Sequence, residues 1–93
     1  NIFALDNKEL MFKKELSRWK INYDTLELNK AGATCNPFED KIEAIGFSYQ
    51  IYDIDFAKKI ALDGCEKMKK KNKILSECNC EIIFINNNYI AKE

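Results

Sequence analysis

The cysteines are the residues of this sequence whose chemistry is easiest to infer. The chain of 93 residues has four, and it has no histidine. An even number of cysteines on so short a chain is typical of a disulfide framework in an exported protein, whereas in the cytosol it would suggest a metal site. Structural zinc sites favour C-x(2–4)-C pairs. The cysteines here form one C-x-C pair and two distant singles: Cys35, Cys65, Cys78 and Cys80. We therefore predict two structural disulfides, with a zinc site as the alternative and a redox-active thiol as a weaker one.

The spacing of the cysteines limits which of them can form disulfides with one another. Cys78 and Cys80 are two residues apart on a predicted strand, where a bridge between them would be strained. Cys65 lies on the inner stripe of the preceding predicted helix and can reach either of them. The sequence therefore predicts that Cys65 pairs with Cys78 or Cys80, and that Cys35 pairs with the other.

Little in the sequence points to catalysis. Without histidine, the commonest general base is absent. The serines have no recognisable partner, and the glycine spacing fits neither phosphate-binding motif. The basic run at 67–73 could bind nucleic acid, but cations also favour the carboxyl end of a helix, and the net charge is zero. We predict a chain that is not an enzyme, with no cofactor, no metal and no nucleic-acid partner.

The predicted first helix has one long apolar face. Asp6 and Glu9 form an N-cap pair, and a helix over 6–31 follows, which could break at Asn22–Asp24. Gly32 would cap its carboxyl end. The apolar face has residues at i, i+4, i+7, i+11 and i+14: Phe12, Leu16, Trp19, Tyr23 and Leu26.

The rest of the chain predicts a strand–helix–strand–strand core over 42–92, after a loop at 32–40. The first strand alternates large and small residues, and Asp53 or Asp55 caps the second helix. A second strand carries Cys78 and Cys80, and an Asn-rich turn at 86–88 leads to a short third strand. The prediction is a single α+β domain over 1–93, with a three-stranded sheet between two helices. No apolar run reaches the roughly 20 residues needed to span a bilayer.

Three motifs follow one another in about half of the chain, residues 42–87: a G-F-S-Y-x-x-Y strand (Gly46–Tyr52), an A-x-x-x-A-L-x-x-C helix (Ala57–Cys65) and a cysteine-led apolar strand (Cys80–Ile85). In these motifs the chain resembles a family of small bacterial secreted domains of unknown function. The resemblance implies an exported, disulfide-bonded module without an assigned activity. The long first helix and the lysine-rich helix end depart from the family pattern.

These observations favour a non-enzymatic, periplasmic or secreted protein-interaction module, acting as an adaptor, inhibitor or accessory subunit. A three-stranded sheet would cover only part of the long first helix, so its apolar face would bind a protein partner or a second copy. The expected partner-binding residues are Phe12, Leu16, Trp19, Tyr23 and Leu26. The alternative is a small cytosolic protein that binds zinc or associates with nucleic acid.

Overall fold

The computed structural model describes residues 7–36, 42–72 and 78–90. In chain order the elements are α1 (Asn7–Arg18), a 3-10 turn (Tyr23–Thr25), β1 (Ala31–Cys35), β2 (Ala44–Ser48), α2 (Ile54–Lys71), β3 (Glu81–Ile85) and β4 (Asn88–Tyr89). The strands form a four-stranded antiparallel sheet in the order β2-β1-β3-β4. The predicted α+β class with two helices is confirmed. The predicted Asp6 cap lies outside the described residues.

The first helix ends much earlier than predicted, at Arg18. The Ile21 amide donates to the Leu16 carbonyl and the Lys20 amide donates to the Ser17 carbonyl, while Lys20 has φ 63°. These two bonds around a left-handed residue form a Schellman motif, which terminates a helix. The motif usually has glycine where Lys20 stands, so the sequence carries no signal of this end. The prediction of one helix to residue 31 is therefore wrong.

A strand, β1, occupies the first four residues of the predicted loop at 32–40. β1 is fully buried and pairs with β2 on one side and β3 on the other. The sheet therefore has four strands where the sequence predicts three, because β1 lies between β2 and β3. Its sequence, AGATC, has small residues and no alternation, so its strand character comes from its two neighbours. Residues 37–40 of the predicted loop lie outside the described part of the chain.

The second helix lies against β2 as the small residues of that strand predict. Asp53 caps α2 by accepting a hydrogen bond of 3.0 Å from the Phe56 amide. A Cβ atom at Gly46 would overlap the Ala61 carbonyl and the Cys65 amide nitrogen. This close approach buries most of β2, although it is an edge strand.

An aromatic cluster fills the opposite face of the sheet. Phe12 of α1 lies 5.2 Å from both Tyr23 and Phe84, measured between ring centroids. A β-bulge at Gly32/Ala33 lets Ile83 and Phe84, although consecutive, both join this cluster. The predicted turn between β3 and β4 is present, with Asn86 at φ 55°. The described helices include none with the length and hydropathy needed to cross a membrane.

Candidate interaction surfaces

The four cysteines form two disulfides, and each of them attaches to the short segment that precedes β3. Cys35 bonds to Cys78 and Cys65 bonds to Cys80, with Cα–Cα distances of 5.5 and 6.0 Å. The predicted pairing is confirmed, and the structure assigns Cys80 rather than Cys78 to α2. Because Cys78 and Cys80 are close in sequence, the end of β1 and the middle of α2 are tied to one short segment.

This pairing argues against the zinc alternative. Zinc binds the thiolate form of cysteine, and none of the cysteines is free. The described residues also contain no cluster of His, Cys, Asp or Glu that could hold a metal ion. All four cysteines are held in disulfides in this structure.

The structure separates the residues that the sequence predicts for partner binding. Phe12, Leu16 and Tyr23 are buried in the aromatic cluster, and Leu26 packs against it at partial exposure. Only Trp19 remains well exposed, at 43%. The physical reason is the Schellman motif, which turns the chain so that Tyr23 folds back onto Phe12 instead of extending the helix face. In this fold the three buried side chains are core residues.

Tyr23 and Lys30 form a buried polar cluster in which both side chains donate hydrogen bonds to backbone carbonyls. The Tyr23 hydroxyl donates to the Asn86 carbonyl at 2.8 Å, and Lys30 Nζ donates to the Tyr23 carbonyl at 2.7 Å and lies 4.6 Å from the Tyr23 ring centroid. Burial raises the pKa of the Tyr23 phenol well above its usual range, with Asp24 adding to the effect. Burial also lowers the pKa of the Lys30 ammonium, although Asp24 opposes this. These bonds hold the 3-10 turn against the sheet.

The first candidate surface is an aromatic one on the connection from β2 to α2. Tyr49, Tyr52 and Phe56 are 47%, 88% and 42% exposed, and we call these residues the tyrosine patch. The Tyr52 and Phe56 ring centroids lie 6.0 Å apart. The alternation of large and small residues along β2 is the sequence signal nearest to this patch. It could not show that these aromatic side chains are exposed, because they follow the end of the strand.

The second candidate surface is a cleft of about 610 Å³ between the carboxyl ends of α1 and α2 and the start of β2. We call it the basic cleft. Its lining includes the apolar Trp19, the cations Arg18, Lys67 and Lys71, and the carboxylates of Glu15 and Glu43. Arg18 lies 3.8 Å from Glu15. Lys67 and Lys71 make no ion pair with another residue in the described part of the chain. An apolar side chain beside the two unpaired lysines suits a ligand that carries both an apolar group and a carboxylate.

Comparison with known protein families, curated proteins and solved structures gives no match for this chain.

Proposed function

We propose that this chain is an exported bacterial module, periplasmic or secreted, that binds protein through the tyrosine patch and catalyses no reaction. The observation that carries the proposal is the exposure of the patch. The fold buries Phe12, Tyr23 and Phe84 almost completely, yet it leaves Tyr52 88% exposed beside the half-exposed Phe56. Large aromatic side chains are enriched among the residues that anchor protein–protein interfaces. The patch would therefore be the part of the molecule that a partner covers.

The disulfides support the exported part of the proposal. Disulfides persist in oxidising compartments and are rare in the cytosol. Here both bonds cross between elements and lie beside the core cluster under α2, which is the pattern of a structural staple. A small domain of this size has a limited core of its own, so such staples add stability that it needs.

The polar groups of the described residues support the non-enzymatic part. The Ser17 hydroxyl donates to the Lys14 carbonyl at 2.6 Å, and the Ser48 hydroxyl donates to the Ala57 carbonyl at 2.7 Å. Neither hydroxyl is placed next to a general base, which a serine nucleophile requires. The buried Lys30 amine is likewise held by backbone carbonyls. We infer that these side chains serve the fold.

The proposal can be tested by affinity purification from the cell that makes the protein. A tagged chain is compared with a Tyr49→Ser, Tyr52→Ser double variant, and Leu10→Ser is the matched control. Leu10 has the same exposure as Tyr49, 47%, but lies on α1. We expect one defined protein to accompany the wild type and the Leu10 variant and to be lost from the tyrosine variant.

The redox state of the cysteines in the same preparations tests whether the protein resides in an oxidising compartment. Alkylation before and after reduction should show that the cysteines of the native protein are oxidised. Free thiols in the native protein would contradict export. Identical co-purified proteins for all variants would contradict a role for the tyrosine patch.

A further inference from the structure

We propose that the basic cleft is a binding site for an aromatic monocarboxylate, a small molecule with one ring system and one carboxylate. The ring packs on the Trp19 indole, and the carboxylate binds the ammonium groups of Lys67 and Lys71. The cleft lies at the carboxyl end of α2, whereas the tyrosine patch lies at its start. The inference therefore goes beyond the proposed function and does not depend on it.

The walls of the cleft are held in place by contacts that involve no ligand. α2 lies against β2 at Gly46, where there is no space for a Cβ atom, and the Cys65–Cys80 disulfide ties α2 to the segment before β3. The α1 wall ends in the Schellman motif, beside which the Trp19 amide donates to the Leu16 carbonyl at 2.9 Å. Sites for small molecules are usually formed before the ligand binds, with volumes of about 300–1,000 Å³. The cleft, at about 610 Å³, fits this description.

The apolar part of the lining suits a ring. Trp19, the single tryptophan of the chain, lines the cleft and is 43% exposed. Met68, Ile42 and Ile45 also line it. Aromatic rings pack favourably on an indole and on the thioether sulfur of methionine. A ring bound here would cover part of the indole surface that the fold leaves exposed.

The charged part of the lining favours a ligand with one negative charge. Three cationic and two anionic side chains line the cleft, which leaves an excess of one positive charge: Arg18, Lys67, Lys71, Glu15 and Glu43. Arg18 lies 3.8 Å from Glu15, so these two charges offset each other. Lys67 and Lys71 are one turn apart on α2, and neither forms an ion pair within the described part of the chain. Their ammonium groups can therefore bind one carboxylate between them.

The backbone around the cleft does not favour an anion. Both helices that border the cleft end there, and the carboxyl end of a helix carries a partial negative charge. The lysine ammonium groups must therefore supply the attraction for the carboxylate, and the Glu43 carboxylate opposes it. Substitution of the lysines and substitution of Glu43 should consequently change the affinity in opposite directions.

Titration of the purified, oxidised protein with phenylpropionate tests the proposal. Because Trp19 is the single tryptophan, its intrinsic fluorescence reports on the cleft alone. Phenylpropanol and phenylpropylamine carry the same ring with a neutral or a cationic group, and they serve as the comparison ligands. We expect a saturable change in fluorescence with phenylpropionate, an affinity about tenfold lower for phenylpropanol, because hydrogen bonds to a charged group are lost, and no binding of the amine. Added salt should weaken the binding of phenylpropionate, because exposed charges are screened.

Charge variants of the lining test the assigned roles. Lys67→Gln with Lys71→Gln should lower the affinity for phenylpropionate about tenfold or more, because the carboxylate loses its ionic partners. Lys70→Gln is the matched control, since Lys70 lies in the same last turn of α2 but does not line the cleft. Glu43→Gln should raise the affinity about two- to threefold, because it removes a like charge at a solvent-accessible site. Retained disulfides and an unchanged near-ultraviolet circular dichroism spectrum would verify that each variant is folded.

Several results would overturn the inference. These are a fluorescence that phenylpropionate does not change up to its solubility limit, an equal affinity for phenylpropanol, or an affinity that the lysine variant does not lower. Binding of phenylpropylamine that is weakened by Glu43→Gln would likewise overturn it, because the cleft would then be a site for cations. None of these results bears on the tyrosine patch, so the failure of this inference is distinguishable from the failure of the proposed function.

Discussion

At the scale of single residues, Gly46 and Tyr23 determine how neighbouring elements of this fold pack together. Gly46 lets β2 and α2 approach until there is no space for a Cβ atom between them. Tyr23 joins the 3-10 turn to the β3–β4 turn by its hydrogen bond to Asn86. In both cases a residue type is required by contacts between elements and not by its own secondary structure.

Substitution at Gly46 should destabilise the fold far more than the same substitution at Gly64. A new Cβ at Gly46 would overlap backbone atoms of Ala61 and Cys65, which cannot rotate away, whereas at Gly64 it would lie 3.5 Å from the Gly46 Cα, an ordinary contact. We expect Gly46→Ala to cost about 1–3 kcal/mol and Gly46→Leu more. Gly64→Ala should be neutral or stabilise α2 by up to about 1 kcal/mol. Urea unfolding measures both, and equal effects would mean that the two elements are not packed this closely.

The wild type should lose stability at alkaline pH because of Tyr23, and the Tyr23→Phe variant should not show this loss. The raised pKa of the buried phenol means that the folded chain keeps its proton when the unfolded chain releases it, above the ordinary tyrosine pKa of about 10. The free energy of unfolding of the wild type should therefore fall as the pH rises above that value. The lowered pKa of Lys30 acts in the opposite direction just below about 10.4, but both proteins share it.

Chemical denaturation of both proteins across the alkaline range checks this expectation. Near neutral pH the variant should be less stable by about 1 kcal/mol, because it loses one buried hydrogen bond. Parallel pH profiles for the two proteins would show instead that the Tyr23 phenol ionises as it does in the unfolded chain.

At the scale of elements, the disulfides add stability that a larger hydrophobic core would otherwise provide. They connect β1 and α2 to the segment before β3, so three elements that are distant in sequence share one attachment region. The two bonds close loops of different length: 43 residues for Cys35–Cys78 and 15 residues for Cys65–Cys80. A longer loop loses more entropy on closure.

Removal of either bond should therefore destabilise the protein by an amount that follows loop length. In the chain-entropy model, Cys35→Ser with Cys78→Ser costs about 4 kcal/mol, and Cys65→Ser with Cys80→Ser costs about 3 kcal/mol. Because small domains are stable by only about 5–15 kcal/mol, both losses should be large in thermal and urea unfolding. A greater loss from the second pair would show that native-state packing around Cys65, and not chain entropy, sets the contribution.

Some elements could be predicted from sequence because their own residues specify them. The period of α2, its Asp53 cap and the asparagine turn after β3 are all local signals, and the structure has each of them. The disulfide pairing followed in part, because placing Cys65 on the inner side of α2 predicted a bond to Cys78 or Cys80, and the structure selects Cys80.

The missed elements lack such local signals. β1 is a strand only because β2 and β3 provide hydrogen-bond partners on both sides, and its small residues show no alternation. The end of α1 depends on Lys20 in a left-handed conformation, which a lysine adopts at a cost that the packing of Ile21 and Tyr23 on the core can offset. The tyrosine patch is not among the predicted partner-binding residues, because the prediction of a longer α1 placed the exposed apolar face on that helix.

At the scale of the whole molecule, fifteen basic and fifteen acidic side chains give a net charge of zero. The first turn of α2 contains Asp55, and its last turn contains three consecutive lysines. Such a distribution favours oriented contacts with another protein over general attraction to a polyanion.

Binding to nucleic acid should accordingly be weak. We expect only low-affinity association with oligonucleotides, lost by physiological salt, because the lysines at the end of α2 can neutralise few phosphates. Fluorescence anisotropy against salt concentration measures it. Tight, salt-resistant binding that disappears with Lys70→Glu and Lys71→Glu would make the end of α2 a nucleic-acid site and revive the alternative function.

The most direct measurement of the central proposal is photo-crosslinking at the tyrosine patch in the native cell. A photoreactive phenylalanine analogue replaces Tyr52, and the same analogue at Leu10 serves as the control on α1. If the patch binds protein, irradiation should give a crosslinked product of defined mass from position 52 and none from position 10. That product would contain either a second copy of this chain or another exported protein. The absence of a product at position 52, or equal products at both positions, would contradict the assignment of this chain as a protein-binding module that acts through the tyrosine patch.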